Sequence, residues 1–373
     1  GFLVGGCNGN ADREEWPRLY GGEAWIAKID TDGKTVWETY LGSAANVCVS
    51  FLAGTPDGGF LAGGDTVPQD GDAESPEGGF PTAATVDEIG PWLTRLDRHG
   101  RKIWTRSLPL GKGGTGWVRA VGFRPDGSIT AVGFGESSGG GPGCSGETAM
   151  FWKISADGTV VDLSCPELAI ERNPAHGATV MPDGGVALAY SDTDRKRAFA
   201  VLLSPDGKPI WTRDLGTGLA RCVVPSPGGG IVIGGSGRDD LPWLYGLDRD
   251  GSPEWETPVT WAETGVLNAL ASVPGGGYFA AGTSRSKTYK SDEAAKGTTD
   301  MLAVRTGVNG SVLWIAMAGG SSDDWCGAVA ALLEGSFMAG GWTSSWDGDL
   351  ARARTMLSLL QESPDSWIVK FRP

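Results

Sequence analysis

The chain has 373 residues, a net charge of -14, 40% hydrophobic residues and 16 Trp. It can bury a large core and is not disordered, and its acidity argues against nucleic acid and anionic membrane surfaces, which need a basic patch. Gly contributes 61 residues without a G-X-Y period, which excludes collagen, only two His argue against a poly-His metal centre, and no apolar run reaches the roughly 20 residues of a membrane span.

Self-similarity organises the rest. Gly1-Phe2-Leu3-Val4-Gly5-Gly6 opens the chain, and the phrase returns at Gly59–Gly64, Ser128–Gly133, Gly185–Tyr190, Gly230–Gly235, Gly277–Gly282 and Ser336–Gly341, seven copies in all. A second phrase follows each copy. It reads Trp25-Ile26-Ala27-Lys28-Ile29-Asp30, then Asp32-Gly33, then Val36-Trp37, with relatives starting at Trp92, Phe151, Phe199, Trp243, Leu302 and Trp367. The second Trp recurs as Trp104, Trp211, Trp255 and Trp314. A third phrase precedes most copies of the first, as in Val47–Ala53 and Val266–Val273, and ends in turns such as Pro56-Asp57-Gly58 and Pro182-Asp183-Gly184.

Apolar, β-branched runs bounded by Asp-Gly or Pro-Gly are predicted strands. In order they are a (before the first turn), b (with the glycines), c (with Lys-Ile-Asp) and d (with the second Trp). The a–b and c–d links are tight turns suited to antiparallel hairpins. Successive c phrases lie 44 to 67 residues apart, one four-stranded meander per period. Such a unit cannot bury both faces alone, and radial stacking of several solves that. The expectation is an all-β fold, a single seven-bladed β-propeller of four-stranded antiparallel blades over residues 1–373.

The unit Trp-x-x-Lys-Ile-Asp-x-Asp-Gly-x-x-x-Trp followed by Asp-Gly-Gly-Phe-x-x-Gly-Gly resembles the secreted bacterial propeller repeats of many large extracellular proteins. Its Asp-x-x-Gly-x-x-x-Trp part is similar to the tryptophan-docking motif of quinoprotein propellers. Those are typically eight-bladed and often carry adjacent cysteines beside the cofactor, whereas this chain has seven repeats and no Cys-Cys. The resemblance covers nearly the whole chain and implies a fold more than a function.

Seven b, seven c, six a and six d strands are expected. The missing d and a would be neighbours in the circular order, so residues outside this chain, from a cleaved segment or a second chain, are expected to complete the ring. The first phrase matches Phe60-Leu61-Ala62 and is read as a repeat strand rather than the tail of a signal peptide, and the chain as part of a longer or processed polypeptide.

The a–b and c–d turns are short, while the b–c and d–a connections, including Cys7–Gly22, Asp65–Gly90, Phe134–Thr148, Thr283–Asp300 and Trp342–Asp365, are long and share one face. That face is the expected working surface. Asp70, Asp72, Glu74, Glu77, Asp87 and Glu88 make the Asp65–Gly90 loop acidic; their spacing fits no EF-hand, and calcium is the one cofactor left open. The Asp-x-Asp-Gly runs are read as turns, through Asx hydrogen bonding and positive φ. Leu350, Ala353, Leu357 and Leu360 have helical spacing. Repeat-position Trp residues are expected between blades. Trp117, Trp261, Trp325, Trp342 and Trp346 fall on the long-loop face, where exposed aromatics stack on sugars or anchor a protein. Arg119, His176, Arg221, Asn46, Asn268 and Asp324 occupy entrances to the central channel, where converging polar groups would make a ligand site.

The six Cys include no Cys-x-x-Cys motif. In the expected topology Cys7 leaves strand b of the first blade as Cys48 enters strand a of the second. Cys144 lies in the third blade's b–c loop, and Cys165 in its outgoing link. Cys7–Cys48 and Cys144–Cys165 are therefore expected disulfides, implying a secreted, cell-surface or periplasmic setting. No nucleophile elbow, phosphate loop or zincin motif is present. The expected function is a non-catalytic module that binds a protein or glycan. The alternatives are a carboxylate-based glycan-active enzyme or, further away, a quinoprotein-like dehydrogenase.

Overall fold

The computed structural model describes residues 1–9, 22–31, 33–41, 46–67, 90–110, 114–124, 126–141, 144–166, 168, 175–192, 196–286, 299–332, 335–345, 347–350 and 365–371. These form seven consecutive antiparallel sheets and two short 3-10 turns. The first sheet is β1 (Phe2–Gly9), β2 (Gly22–Ile29) and β3 (Thr35–Leu41), and the second is β4 (Asn46–Gly54), β5 (Phe60–Val67), β6 (Gly90–Leu96) and β7 (Lys102–Ser107). The third is β8 (Thr115–Phe123), β9 (Ile129–Gly141), β10 (Cys144–Ile154) and β11 (Val160–Ser164), and the fourth is β12 (Ala175–Val180), β13 (Val186–Asp192), β14 (Arg197–Leu203) and β15 (Pro209–Thr217). The fifth is β16 (Leu219–Pro225), β17 (Ile231–Ser236), β18 (Pro242–Leu247) and β19 (Pro253–Pro258), and the sixth is β20 (Ala262–Ser272), β21 (Tyr278–Ser286), β22 (Asp300–Thr306) and β23 (Val312–Ala318). The seventh is β24 (Asp324–Ala331), β25 (Phe337–Thr343) and β26 (Asp365–Phe371). Among the described residues, the first sheet therefore lacks strand a and the last lacks strand d, as the phrase count requires.

One correction concerns the third blade. Gly133 pairs with Met150 there, as Gly64 pairs with Trp92 and Gly235 with Trp243, so its c phrase starts at Met150 and not at Phe151. The aromatic run Phe151-Trp152 disguises the offset, but the turn opens at Ser155, five residues after Met150, as Asp97 follows Trp92.

The turns explain their own residues. In the c–d turns, Asp97 Oδ1 accepts from the amides of His99 and Arg101, and Asp248 Oδ1 from those of Asp250 and Ser252. The closing Gly100 and Gly251 have φ of 79° and 77°, a region costly for other residues. These glycines also receive a neighbour. Built Cβ atoms on Gly100, Gly158, Gly251 and Gly310 would stand 2.6, 2.7, 2.7 and 2.2 Å from the rings of Trp37, Trp104, Trp211 and Trp255. Two residues beyond each Trp, a side chain donates to the same glycine's carbonyl: Thr39 at 2.7 Å, Arg106 at 3.1 Å, Arg213 at 2.7 Å and Thr257 at 2.8 Å. These four d strands, β3, β7, β15 and β19, thus dock on the next sheet's c–d turn.

The chain divides into two compact units. The first comprises Gly1–Pro174, Thr179–Val186 and Ser204–Pro209, and the second the remaining residues. In the first, Leu61, Leu93, Val118, Met150 and Trp152 form one core cluster, and Ile26, Val47, Ala62, Trp92 and Leu96 another. In the second, the clusters are built on Phe279, Met301, Phe337 and Trp367, and on Val232, Leu244, Leu267, Tyr278 and Leu302. Sheets covered on both faces explain strands buried along their whole length, such as β13 and β17. Each fully buried large side chain contributes about 1.5–3 kcal/mol.

Candidate functional site

The innermost strands carry a recurrent irregularity. Register shifts occur between Val49 and Phe51, Val118 and Ala120, Ala220 and Cys222, Leu267 and Ala269, and Cys326 and Ala328. The extra residues are Ser50, Arg119, Arg221, Asn268 and Gly327, each five residues before the one that opens its a–b turn, as Arg221 is before Ser226. By the same count His176 precedes Met181 in β12. A β-bulge re-aims its side chain and is a common device beside binding sites.

The bulge explains the Gly-Gly phrase. The inner-strand carbonyl two residues before the bulge would stand 1.8 Å from a Cβ at Gly64, Gly235 and Gly341, and 1.9 Å from one at Gly133 and Gly282. No residue with a Cβ fits there. Tyr190 holds the corresponding place in the fourth blade.

In the first unit, Ser50 Oγ donates to Val118 O at 3.1 Å. Arg119 lies near Asp65: burial pushes the Asp65 carboxyl up, and the Arg119 charge opposes that rise. Surrounding protein lowers the pKa of Arg119 although its side chain stays solvent-accessible, and Asp65 opposes that shift too. Trp117 is half-buried and pairs across the strands with Phe134.

In the second unit, Arg221 Nη1 lies 3.1 Å from His176 Nδ1. Gly177 allows this, because its missing Cβ would stand 2.7 Å from Arg221 O. Asn268 Nδ2 donates to Cys326 O at 3.0 Å, next to Gly327. The Trp325 ring covers Gly327, its Cη2 standing 2.2 Å from where a Cβ would be. Trp325 also stacks on its cross-strand partner Trp342, with centroids 6.4 Å apart and planes at 16°, and both are 37% exposed. Trp261 is 63% exposed.

Asp324 is fully buried and organises the loops around it. It accepts from Gly320 N at 2.8 Å, Ser345 Oγ at 2.8 Å and Thr343 Oγ1. Asp349 accepts from Gly319 N, and Asp347 from Ser321 N. Asp300, which the sequence pattern did not single out, joins this group. It is 9% exposed, and burial together with Asp324, Asp349 and Asp323 pushes its carboxyl up to about 7. No three His, Cys, Asp or Glu side chains among the described residues are gathered as metal ligands.

Trp346, most of the acidic 65–90 loop, the 351–360 stretch and the side chains of Asn46, Cys7 and Cys144 lie outside the described residues. Cys222 and Cys326 are free and buried, and burial pushes both thiols up to about 12, which makes them inert. Among the described residues, no helix is long and apolar enough to cross a membrane.

No family model matches the chain, and neither does any curated protein. Solved structures do. A chain of the Mitotic Checkpoint Complex superposes with a TM-score of 0.53 at 10% identity, over 85% of this chain and 78% of that one. The Cps50 (Swd1) β-propeller domain of Myceliophteria thermophila gives 0.52 at 9% identity, over 85% and 88%. Kuenenia stuttgartiensis Hydrazine Synthase gives 0.51 at 12% identity, over 86% and 83%. At these identities the likeness is one of fold. The chain is a seven-bladed β-propeller, a scaffold compatible with a non-catalytic binding module.

Proposed function

We propose that the chain is a non-catalytic binding module of a secreted, cell-surface or periplasmic protein, recognising a glycan or protein at the sheet ends from which the b–c connections leave. The observation that carries this reading is the exposed Trp325–Trp342 stack, held parallel on two strands. A rigid indole platform loses little conformational entropy on binding and offers a flat face to a sugar ring or an apolar side chain.

The pairings Cys7–Cys48 and Cys144–Cys165 belong to the same proposal. They are supported by Cys48 and Cys165 being disulfide-bonded while Cys222 and Cys326 are free. So does a strand from a second chain or cleaved segment beside β1. Gly6, which pairs with Trp25 as Gly64 does with Trp92, has nothing within 4 Å of a built Cβ among the described residues. Calcium remains part of the proposal only for the acidic loop.

A glycan array probed with the intact chain and with a Trp325→Ala/Trp342→Ala double variant tests the reading. The wild type should bind a defined set of glycans, and the double variant about 30-fold more weakly, as for a hot spot of about 2 kcal/mol. A silent array, with a protein retained from the extracellular fraction by the wild type alone, would assign the ligand to proteins. A double variant that binds as the wild type does would refute the reading.

A further inference from the structure

Several guanidinium groups among the described residues are spent on acceptors. Arg106 donates to Gly158 O and Thr105 O, Arg213 to Gly251 O and Asp250 O, and Arg305 to Gly276 O and Tyr278 O. Arg95 and Arg197 meet Asp57 and Asp214. Arg221 differs. It is half-buried at a bulge of the inner strand β16, and its one acceptor among the described residues is the ring nitrogen of His176. Among the described residues its Nε is buried with no hydrogen-bond partner, and no carboxylate stands beside it to offset the burial that lowers its pKa.

Guanidinium has donors only, so His176 Nδ1 must accept. The imidazole is therefore neutral with its proton on Nε2, and it orients the arginine without neutralising it. A planar fork of five N–H donors, held rigid and left charged, matches the two oxygens of a carboxylate or the oxygens of a phosphate. Next along the inner strands come the Asn268 carboxamide and the Trp325 ring over Gly327, polar and apolar neighbours for the rest of a ligand.

We propose that Arg221, oriented by His176, is an anchor for an oxyanion group, a carboxylate or a phosphate, on the ligand of this propeller. The biological use of such an anchor rests on the binding-module reading, but its chemistry is measurable apart from the Trp pair. On a chain of net charge -14, diffuse accumulation of anions is disfavoured, so a saturable isotherm reports a built site.

The experiment is titration calorimetry on the intact chain at constant ionic strength. The probes are inorganic phosphate, acetate and D-glucuronate, with D-glucose as the uncharged control. At least one anion should saturate with a dissociation constant of about 1 mM or tighter, and glucose should not bind. Saturation by phosphate alone, or by the carboxylates alone, names the source of the oxyanion. Arg221→Gln should weaken binding at least tenfold, whereas Arg213→Gln, on an outer strand, should leave it unchanged. Arg221→Lys, which keeps the charge and loses the fork, should fall between wild type and Arg221→Gln, and it decides the matter should Arg221→Gln fail to fold. No saturable binding of any of the three anions, or equal binding by wild type and a folded Arg221→Gln, would overturn the assignment. The probes are too small to depend on the glycan array: a silent array leaves this result standing, and the reverse also holds.

Discussion

Asp300 and Arg221 are isolated charges on the strands of one unit, and they resolve that isolation differently. Asp300 opens β22 at 9% exposure, with no hydrogen-bond donor to its carboxylate among the described residues and three other carboxyl groups acting on it. A carboxylate in that position takes up a proton. The same burial and repulsion that make its charge costly raise its pKa to about 7, so the charge is half gone at neutral pH. Arg221 has no such exit. Burial lowers its pKa, but from the very high value of a guanidinium, and it stays a cation at any physiological pH. A buried acid can be silenced by solvent protons, whereas a half-buried arginine can be balanced only by an anion. That is why the cation, and not the acidic group, points to a ligand.

The largest expected effect comes from breaking the acidic side of this contrast. Asp324→Ala would take this acceptor from the amide of Gly320 and the hydroxyl of Thr343, while the Ser345 hydroxyl keeps Ser322 O at 3.1 Å. Each stranded buried group costs about 1–3 kcal/mol, and relief of the repulsion on Asp300 returns part of that. A net loss of about 3–5 kcal/mol is expected in urea unfolding at pH 7. A loss below about 1 kcal/mol would show that the 319–324 and 343–349 segments do not depend on this carboxylate.

Asp300→Asn is the next largest and has the opposite sign. The native pKa of about 7 lies above the ordinary 3.8, so between those values the native state holds a proton that the unfolded chain has released. Stability from this group is therefore complete below about pH 4 and is lost as pH rises through 7. At 1.36 kcal/mol per unit the shift sets a ceiling of about 4 kcal/mol. Replacing the carboxyl by a neutral amide should stabilise the protein by about 2 kcal/mol at pH 8 and leave it unchanged at pH 4. Denaturant midpoints at pH 4, 6 and 8 check this, and a pH-independent effect of the substitution would exclude a titrating Asp300.

The repeat makes much of this architecture legible in the sequence. Gly-Gly copies mark the close approach of the bulged inner strand, and a fixed count to the a–b turn then locates Arg119, His176, Arg221 and Asn268. The second Trp and the turn glycine recur because one docks on the other. Periodicity could not reveal which of these residues are balanced. The Asp65–Arg119 interaction joins residues from neighbouring blades, and nothing in either phrase encodes the distance between them. Asp300 had a weak signal, because it stands two residues before Leu302, as Asp365 stands before Trp367. The offset at Met150 was hidden because Phe151 and Trp152 supply aromatic residues in adjacent positions, and only the register with Gly133 distinguishes them.

The smallest expected effect is on the basic side. Arg221→Met keeps a flexible stem of similar reach and removes the charge. If Arg221 were structural, its loss would leave His176 Nδ1 without its donor and cost about 1–3 kcal/mol. Against that stands the desolvation of a guanidinium that meets no carboxylate, a penalty the variant no longer carries. Replacing an unbalanced buried ion by an apolar side chain of similar volume is commonly neutral or stabilising. Arg221→Met should therefore lie between no change and a gain of about 1 kcal/mol in urea unfolding. The difference should also be the same at pH 6 and pH 9, since an arginine does not titrate there. Added phosphate or carboxylate should stabilise the wild type by mass action and leave the variant unmoved. A loss above about 2 kcal/mol in the absence of anions would mean that Arg221 is balanced within the fold, and the contrast with Asp300 would disappear.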